Sequence, residues 1–203
     1  MTVKNIIMSY QTKPIYYFDT PGEGNTEDAA KFAVERAKEL GIQTVVVAST
    51  SGKTALTFFE AVKDAGLTLV VVTHVVGFRQ PGVWEFSPET AARLRKEGIT
   101  IVTGTHVLSG LERALSRSEK VGGGSRTEAI AEALRRTVAV GLKVGVECVL
   151  IAADQGAIPF DEEVIAVGGT AQGSDTVCVI KPANTASYFN LQVREIVAMP
   201  RNR

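Results

Sequence analysis

Apolar positions along this chain alternate between helical spacing and short unbroken runs. Ala29, Phe32, Ala33, Ala37 and Leu40 fall on one helical face behind the capping candidates Asn25 and Thr26, and Gly41 closes that helix. A strand run at 45–48 follows. Leu56, Phe59 and Val62 mark a second helical face that stops at Gly66, and residues 69–72 then form a β-branched run with no polar alternation. That is the pattern of a strand covered on both faces. Ser87 and Pro88 supply a cap and a first-turn proline for a helix through Leu94 to Gly98, ahead of another buried strand at 99–102. Thr127 opens a helix bearing Ile130, Leu134 and Val138 that ends near Gly141. Successive αβ units predict an α/β fold, a three-layer sandwich in which a mostly parallel sheet carries helices on both faces.

The remainder reads differently. Residues 143–153, KVGVECVLIAA, are apolar enough for a strand, but their length, the paired alanines and a stop at Gly156 favour a mostly buried helix. Within it, Lys143 and Glu147 stand four residues apart and are expected to form a solvent-facing pair. Runs at 164–167 and 177–180 are expected strands joined by GGTAQGSDT, a glycine-rich connection suited to a hairpin with a widened turn. Residues 191–199 are expected to add an edge strand.

A length of 203 residues fits one domain with a single core, taken here as 1–203. The 22 basic residues balance 22 acidic ones, which gives no electrostatic reason to expect nucleic acid as a partner. No stretch of 18 or more apolar residues occurs, and the amino-terminal MTVKNIIMSYQTKP lacks a secretory pattern, so a cytoplasmic protein without membrane contact is expected. Cys148 and Cys178 sit in apolar segments thirty positions apart and are expected to be free, buried thiols. His74 and His106 are the only histidines, too few for a histidine-based metal site, and no metal is expected.

The chemistry collects where the strands end. The segment 44–54, TVVVASTSGKT, runs from a buried strand through a Ser/Thr/Gly loop into an amphipathic helix, aiming backbone N–H groups and small hydroxyls at the positive end of a helix dipole. Ser49, Thr50, Ser51, Gly52, Lys53 and Thr54 are therefore candidates to hold an anion, although the hydroxyls would also serve as simple helix caps. The loop is not a Walker A motif, because the first glycine of that pattern falls on Val47. In a parallel sheet, ligands bind beyond the carboxyl ends of the strands. Thr73 and His74, then Gly104, Thr105 and His106, then Gly168, Gly169 and Thr170 are expected at that same edge. The two long connections, 75–88 with Phe78, Arg79, Trp84 and Phe86, and 106–126 with Arg113, Arg117, Lys120 and Arg126, are long enough to be functional. The aromatic residues either cover a flat ring or close a satellite core or a homo-oligomer interface.

VVVASTSGKTA is similar to the strand-to-helix segment of the pyruvate kinase C-terminal domain, and GGTAQGSDTVCVI resembles that domain's Gly-rich effector loop before its last strand. The order of elements from Asn25 to Ile180 agrees, and the closest form is the stand-alone version of the domain, a pyruvate kinase alpha/beta domain. The resemblance implies phosphate binding through Ser49, Ser51, Gly52, Lys53 and Thr54, with Gly173, Ser174, Asp175 and Thr176 lining or closing the same pocket. It also implies flavin mononucleotide (FMN) as the cofactor of a flavoprotein. A flavin enzyme would need a donor near the reactive nitrogen of the ring, for which His74, His106 or Thr170 are candidates, His74 and His106 being the candidate catalytic residues. Phosphoenolpyruvate chemistry is not expected, since no catalytic barrel is present in the sequence. A regulatory module binding a sugar phosphate is the alternative. A hydrolase or phosphatase is the third class, weakened by the lack of a two-metal acidic cluster.

Overall fold

A computed structural model describes residues 10–202. The amino-terminal stretch read above for a secretory pattern lies, through residue 9, outside those residues. Seven strands form one sheet in the order β1-β7-β6-β5-β2-β3-β4. They are β1 (Tyr16–Phe18), β2 (Thr44–Ala48), β3 (Thr68–Thr73), β4 (Thr100–Thr103), β5 (Val164–Gly168), β6 (Thr176–Lys181) and β7 (Gln192–Pro200). Only β6 runs against the others, pairing antiparallel with both β5 and β7. The fold is α/β with a mostly parallel sheet, as the alternation of helix and strand signals predicts.

Alternate side chains of the central strands explain why these runs carry no polar residues. Val45 and Val47 of β2 face one core with Leu69, Val71, Ile165 and Val167, while Val46 faces the other with Val70, Ala166 and Cys178. Helices α1 (Thr26–Leu40), α2 (Lys53–Val62) and α3 (Pro88–Lys96) cover the first core, and α5 (Arg126–Thr137) and α6 (Val140–Asp154) cover the second. Helix α6 buries eleven of its fifteen residues, which is why its apolar positions surround the helix instead of forming a stripe. Cys148 and Cys178 are free and buried, and burial pushes both thiols up to about 12.

Three expectations need correction. The last strand is not at the edge: β7 pairs with β6 on one side and with the short β1 on the other, in parallel register. Three residues of β1 give too brief a run to show periodicity. The connection 106–126 is not one open loop, because it contains α4 (Gly110–Ser116). Lys143 and Glu147 are not solvent-facing. Both are buried, since α6 is sunk into the second core and its polar positions 143 and 147 turn toward the carboxyl edge of the sheet. No helix among the described residues is long and apolar enough to cross a membrane.

Candidate functional site

Chain order reverses around β2: β3 and β4 are reached over one face, and β5 arrives from the other face through α6. Such a reversal leaves a crevice at the carboxyl ends of the strands. Here it is a cleft of about 850 Å³. Its wall includes Ser49, Thr50, Ser51, Lys53 and Thr54 from the β2–α2 turn, Thr73 and His74 after β3, His106 after β4, and Gly169 and Gly173 from the β5–β6 turn.

The β2–α2 turn is built around Gly52, whose φ of 101° is left-handed. A Cβ at that position would lie 2.7 Å from Thr90 Cγ2, so glycine also permits the close approach of α3. Ser49 Oγ accepts from Ala55 N–H at 3.2 Å, which satisfies one first-turn donor of α2. The N–H groups of Ser51, Gly52 and Thr54 have no protein acceptor among the described residues. Lys53 is 79% exposed and pairs with Glu23, so its charge stands at the rim, and Gly52, also a candidate, is buried in the turn and does not line the cleft. Glu23, Thr26 and Glu27 bring the start of α1 to the same cleft, and Val140 and Lys143 bring the start of α6. The amino-terminal turns of three helices, where the dipole is positive, thus border one space.

Other candidates are placed elsewhere. Asp175 is fully buried and accepts the N–H groups of Gly22 at 2.8 Å and Thr170 at 3.0 Å, with the Thr176 hydroxyl at 2.8 Å. Ser174 is buried beside it and its N–H donates to Thr26 Oγ1 at 3.1 Å. Together they hold the wall from behind, and Ser174, Asp175, Thr176 and Thr170 do not line the cleft. Gly168 is a packing position against α6, and Gly104 faces Ile151. Thr105 is exposed, outside the cleft. Of the aromatic residues in the long connection, only Phe78 reaches the cleft. Phe86 is buried and Trp84 stacks on it at 5.4 Å, donating its indole N–H to Thr73 Oγ1 at 3.1 Å. Those two close a satellite of the first core, the alternative that sequence left open.

The site also has a buried polar floor that spacing alone did not reveal. Glu147 Oε2 pairs with Lys143 Nζ and lies 3.8 Å from His106 Nδ1, and its other oxygen accepts from Leu108 N–H at 2.8 Å. A signal existed: Lys143 and Glu147 share a helix that is apolar on every other face. Burial holds the Lys143 ammonium below its usual range, opposed by the attraction of Glu147. Val75 N–H donates to His106 Nε2 at 3.5 Å, which leaves the proton of neutral His106 on Nδ1, toward Glu147. Burial pushes His106 below 6.5, with Glu147 opposing and the charges of His74, Lys143 and Arg113 adding to the fall.

A depressed histidine means that the unfolded chain binds the proton first as pH falls. His106 therefore contributes stability that is complete above 6.5 and is lost as pH drops from there to its folded value. Urea midpoints measured across the acid range are expected to fall less steeply below 6.5 in His106→Gln than in the parent chain. An equal slope in both would remove His106 from the acid response.

A strand-to-helix loop at a sheet switch point, facing a cleft bordered by the starts of three helices, defines an α/β domain with a candidate ligand cleft. Residues 27–180 match the family model described as pyruvate kinase, alpha/beta domain, and the chain belongs to that family. Among solved structures, a pyruvate kinase from Cryptosporidium parvum is similar at 14% identity with a TM-score of 0.42, over 78% of this chain and 23% of that one. A Cryptosporidium parvum pyruvate kinase in complex with ADP is similar at 16% identity with a TM-score of 0.39, over 86% of this chain and 24% of its own. The chain thus spans about a quarter of the length of the pyruvate kinases it matches.

Proposed function

We propose that the cleft binds a phosphate-bearing small molecule, with flavin mononucleotide as the ligand that suits it best. The observation that carries this reading is the set of unpaired N–H groups at Ser51, Gly52 and Thr54, at the start of α2 and joined by the starts of α1 and α6. Backbone donors without protein acceptors at a helix start favour a ligand that brings several oxygens. A volume of about 850 Å³ falls within the range of small-molecule sites and admits a mononucleotide. Phe78 stands 4.1 Å from His74 and 4.8 Å from His106, centroid to centroid, and offers an aromatic wall for a flat ring.

A regulatory module for a sugar phosphate is the second reading. It is favoured by the charged far wall, where Arg113, Arg135, Lys143 and Glu147 suit hydroxyl groups better than a ring. A cytoplasmic location and self-association belong to both readings.

The test is a comparison of ligands that differ only in the phosphate. At a hundred times its dissociation constant, flavin mononucleotide is expected to stabilise the protein by about 2.7 kcal/mol, with riboflavin far less effective at the same concentration. Equal shifts in melting temperature would remove the phosphate from the reading. A shift with glucose 6-phosphate and none with flavin mononucleotide would favour the sensor.

A further inference from the structure

We propose that Thr50, His74 and Glu85 act as nucleophile, base and orienting carboxylate, and that the cleft transfers the phosphoryl group of a phosphate monoester to water. The proposal rests on the phosphate reading and names the bound ester as a substrate. Its basis is geometric. The Thr50 hydroxyl lies 3.4 Å from His74 Nε2, and His74 Nδ1 lies 2.9 Å from Glu85 Oε2. All three residues line the cleft and come from two separate connections, one after β2 and one after β3. Glu85 is held from a second side by Arg79 Nε, 3.1 Å from its other oxygen, and its side chain is 14% exposed.

A carboxylate at Nδ1 keeps the proton of a neutral imidazole on that atom and leaves Nε2 free to accept from the hydroxyl. The hydroxyl itself sits on a strand-to-helix turn, with the unpaired N–H groups of Ser51 and Gly52 following it in sequence. Hydrolases use that arrangement to place a nucleophile beside donors for a developing negative charge. Separations near 3.4 Å are usual for such pairs before substrate draws them together. A hydroxyl that served only to cap α2 would turn to a first-turn N–H, as Ser49 does, and not to an imidazole.

In the first step the Thr50 oxygen bonds to phosphorus as the bond from phosphorus to the ester oxygen breaks. The Thr50 proton passes to His74 Nε2, and the departing alkoxide takes a proton from water. In the second step water attacks phosphorus, the bond to Thr50 breaks, and His74 returns its proton to Thr50. The proton lost by the attacking water neutralises the hydroxide left from the first step. One ester and one water give one alcohol and one inorganic phosphate, with no change of oxidation state. With flavin mononucleotide as the ester, the alcohol is riboflavin. Thr50 and His74 are catalytic residues in this scheme, and Glu85 is a positioning residue.

The experiment follows release of p-nitrophenol from p-nitrophenyl phosphate and of riboflavin from flavin mononucleotide by the purified full chain. Thr50→Val and His74→Gln are expected to lower kcat at least ~100-fold, while Thr50→Ser keeps turnover. Glu85→Gln is expected to lower kcat with little change in KM, and Glu85→Asp to recover part of the loss. Inorganic phosphate should still raise the melting temperature of Thr50→Val, which shows that the variant is folded and binds. Undiminished turnover in Thr50→Val, or no turnover by the parent chain while phosphate still stabilises it, would overturn the proposal and leave the binding reading standing. No stabilisation of the parent chain by phosphate, flavin mononucleotide or glucose 6-phosphate would overturn both.

Discussion

Glu147→Leu is expected to destabilise the protein by about 3–5 kcal/mol, the usual result of stranding a buried charge. Lys143 would lose the only carboxylate partner it has among the described residues while remaining buried beneath the cleft, and Leu108 N–H would lose the acceptor it holds at 2.8 Å. The double variant Lys143→Met with Glu147→Leu should recover much of that stability, because apolar residues of similar size suit the surroundings of α6. Urea unfolding of the three proteins checks both statements. A single variant as stable as the double would show that water reaches Lys143 and that the pair is not sealed.

The second large effect is expected at Gly168, the last residue of β5. A Cβ there would run into the carbonyl oxygen of Gly141 and lie 2.9 Å from Val144 Cβ, so the start of α6 rests directly on the strand. Gly168→Ala is expected to cost about 1–3 kcal/mol by overpacking, and more if α6 cannot shift. It should also weaken ligand binding, because moving α6 displaces Lys143, Val144 and Glu147 from the cleft wall. Gly156→Ala serves as the comparison. Its added Cβ meets no other atom within 4 Å, so its cost is confined to the left-handed φ of 63°. A melting temperature for Gly168→Ala equal to that of Gly156→Ala would show that the two backbones are not in register as described.

These two sites show where sequence was a good guide and where it was not. Strands β2, β3 and β5 announce themselves as unbroken β-branched runs because both faces are covered, and the helices α1 and α2 because only one face is. The loop after β2 was legible for a related reason: a run of small hydroxyl residues and glycine between such elements has few other uses. Glu85 was not legible. It is the one acidic residue in a long, largely apolar connection, and only the fold of residues 75–88 carries it to His74. Trp84 and Phe86 were ambiguous for the opposite reason, since aromatic residues in a loop look the same in sequence whether they cover a ligand or a core. The Lys143 and Glu147 spacing fits an exposed helical pair, and the burial that decides its character comes from the neighbours of α6.

Asp175 accepts from Gly22 N–H across 153 positions of chain, and Lys53 meets Glu23 across 30. The walls of the cleft and their support are therefore assembled from segments far apart in the described sequence, from Glu23 near its start to Gly173 and Asp175. Contacts of such long separation form late, because the entropy of closing the intervening chain must be met first. In refolding experiments, ligand binding should accordingly return after helical circular dichroism, in the same phase as native β5–β6 pairing. A cleft made this way reports on completion of the whole sheet, and no partly folded form would hold the ligand.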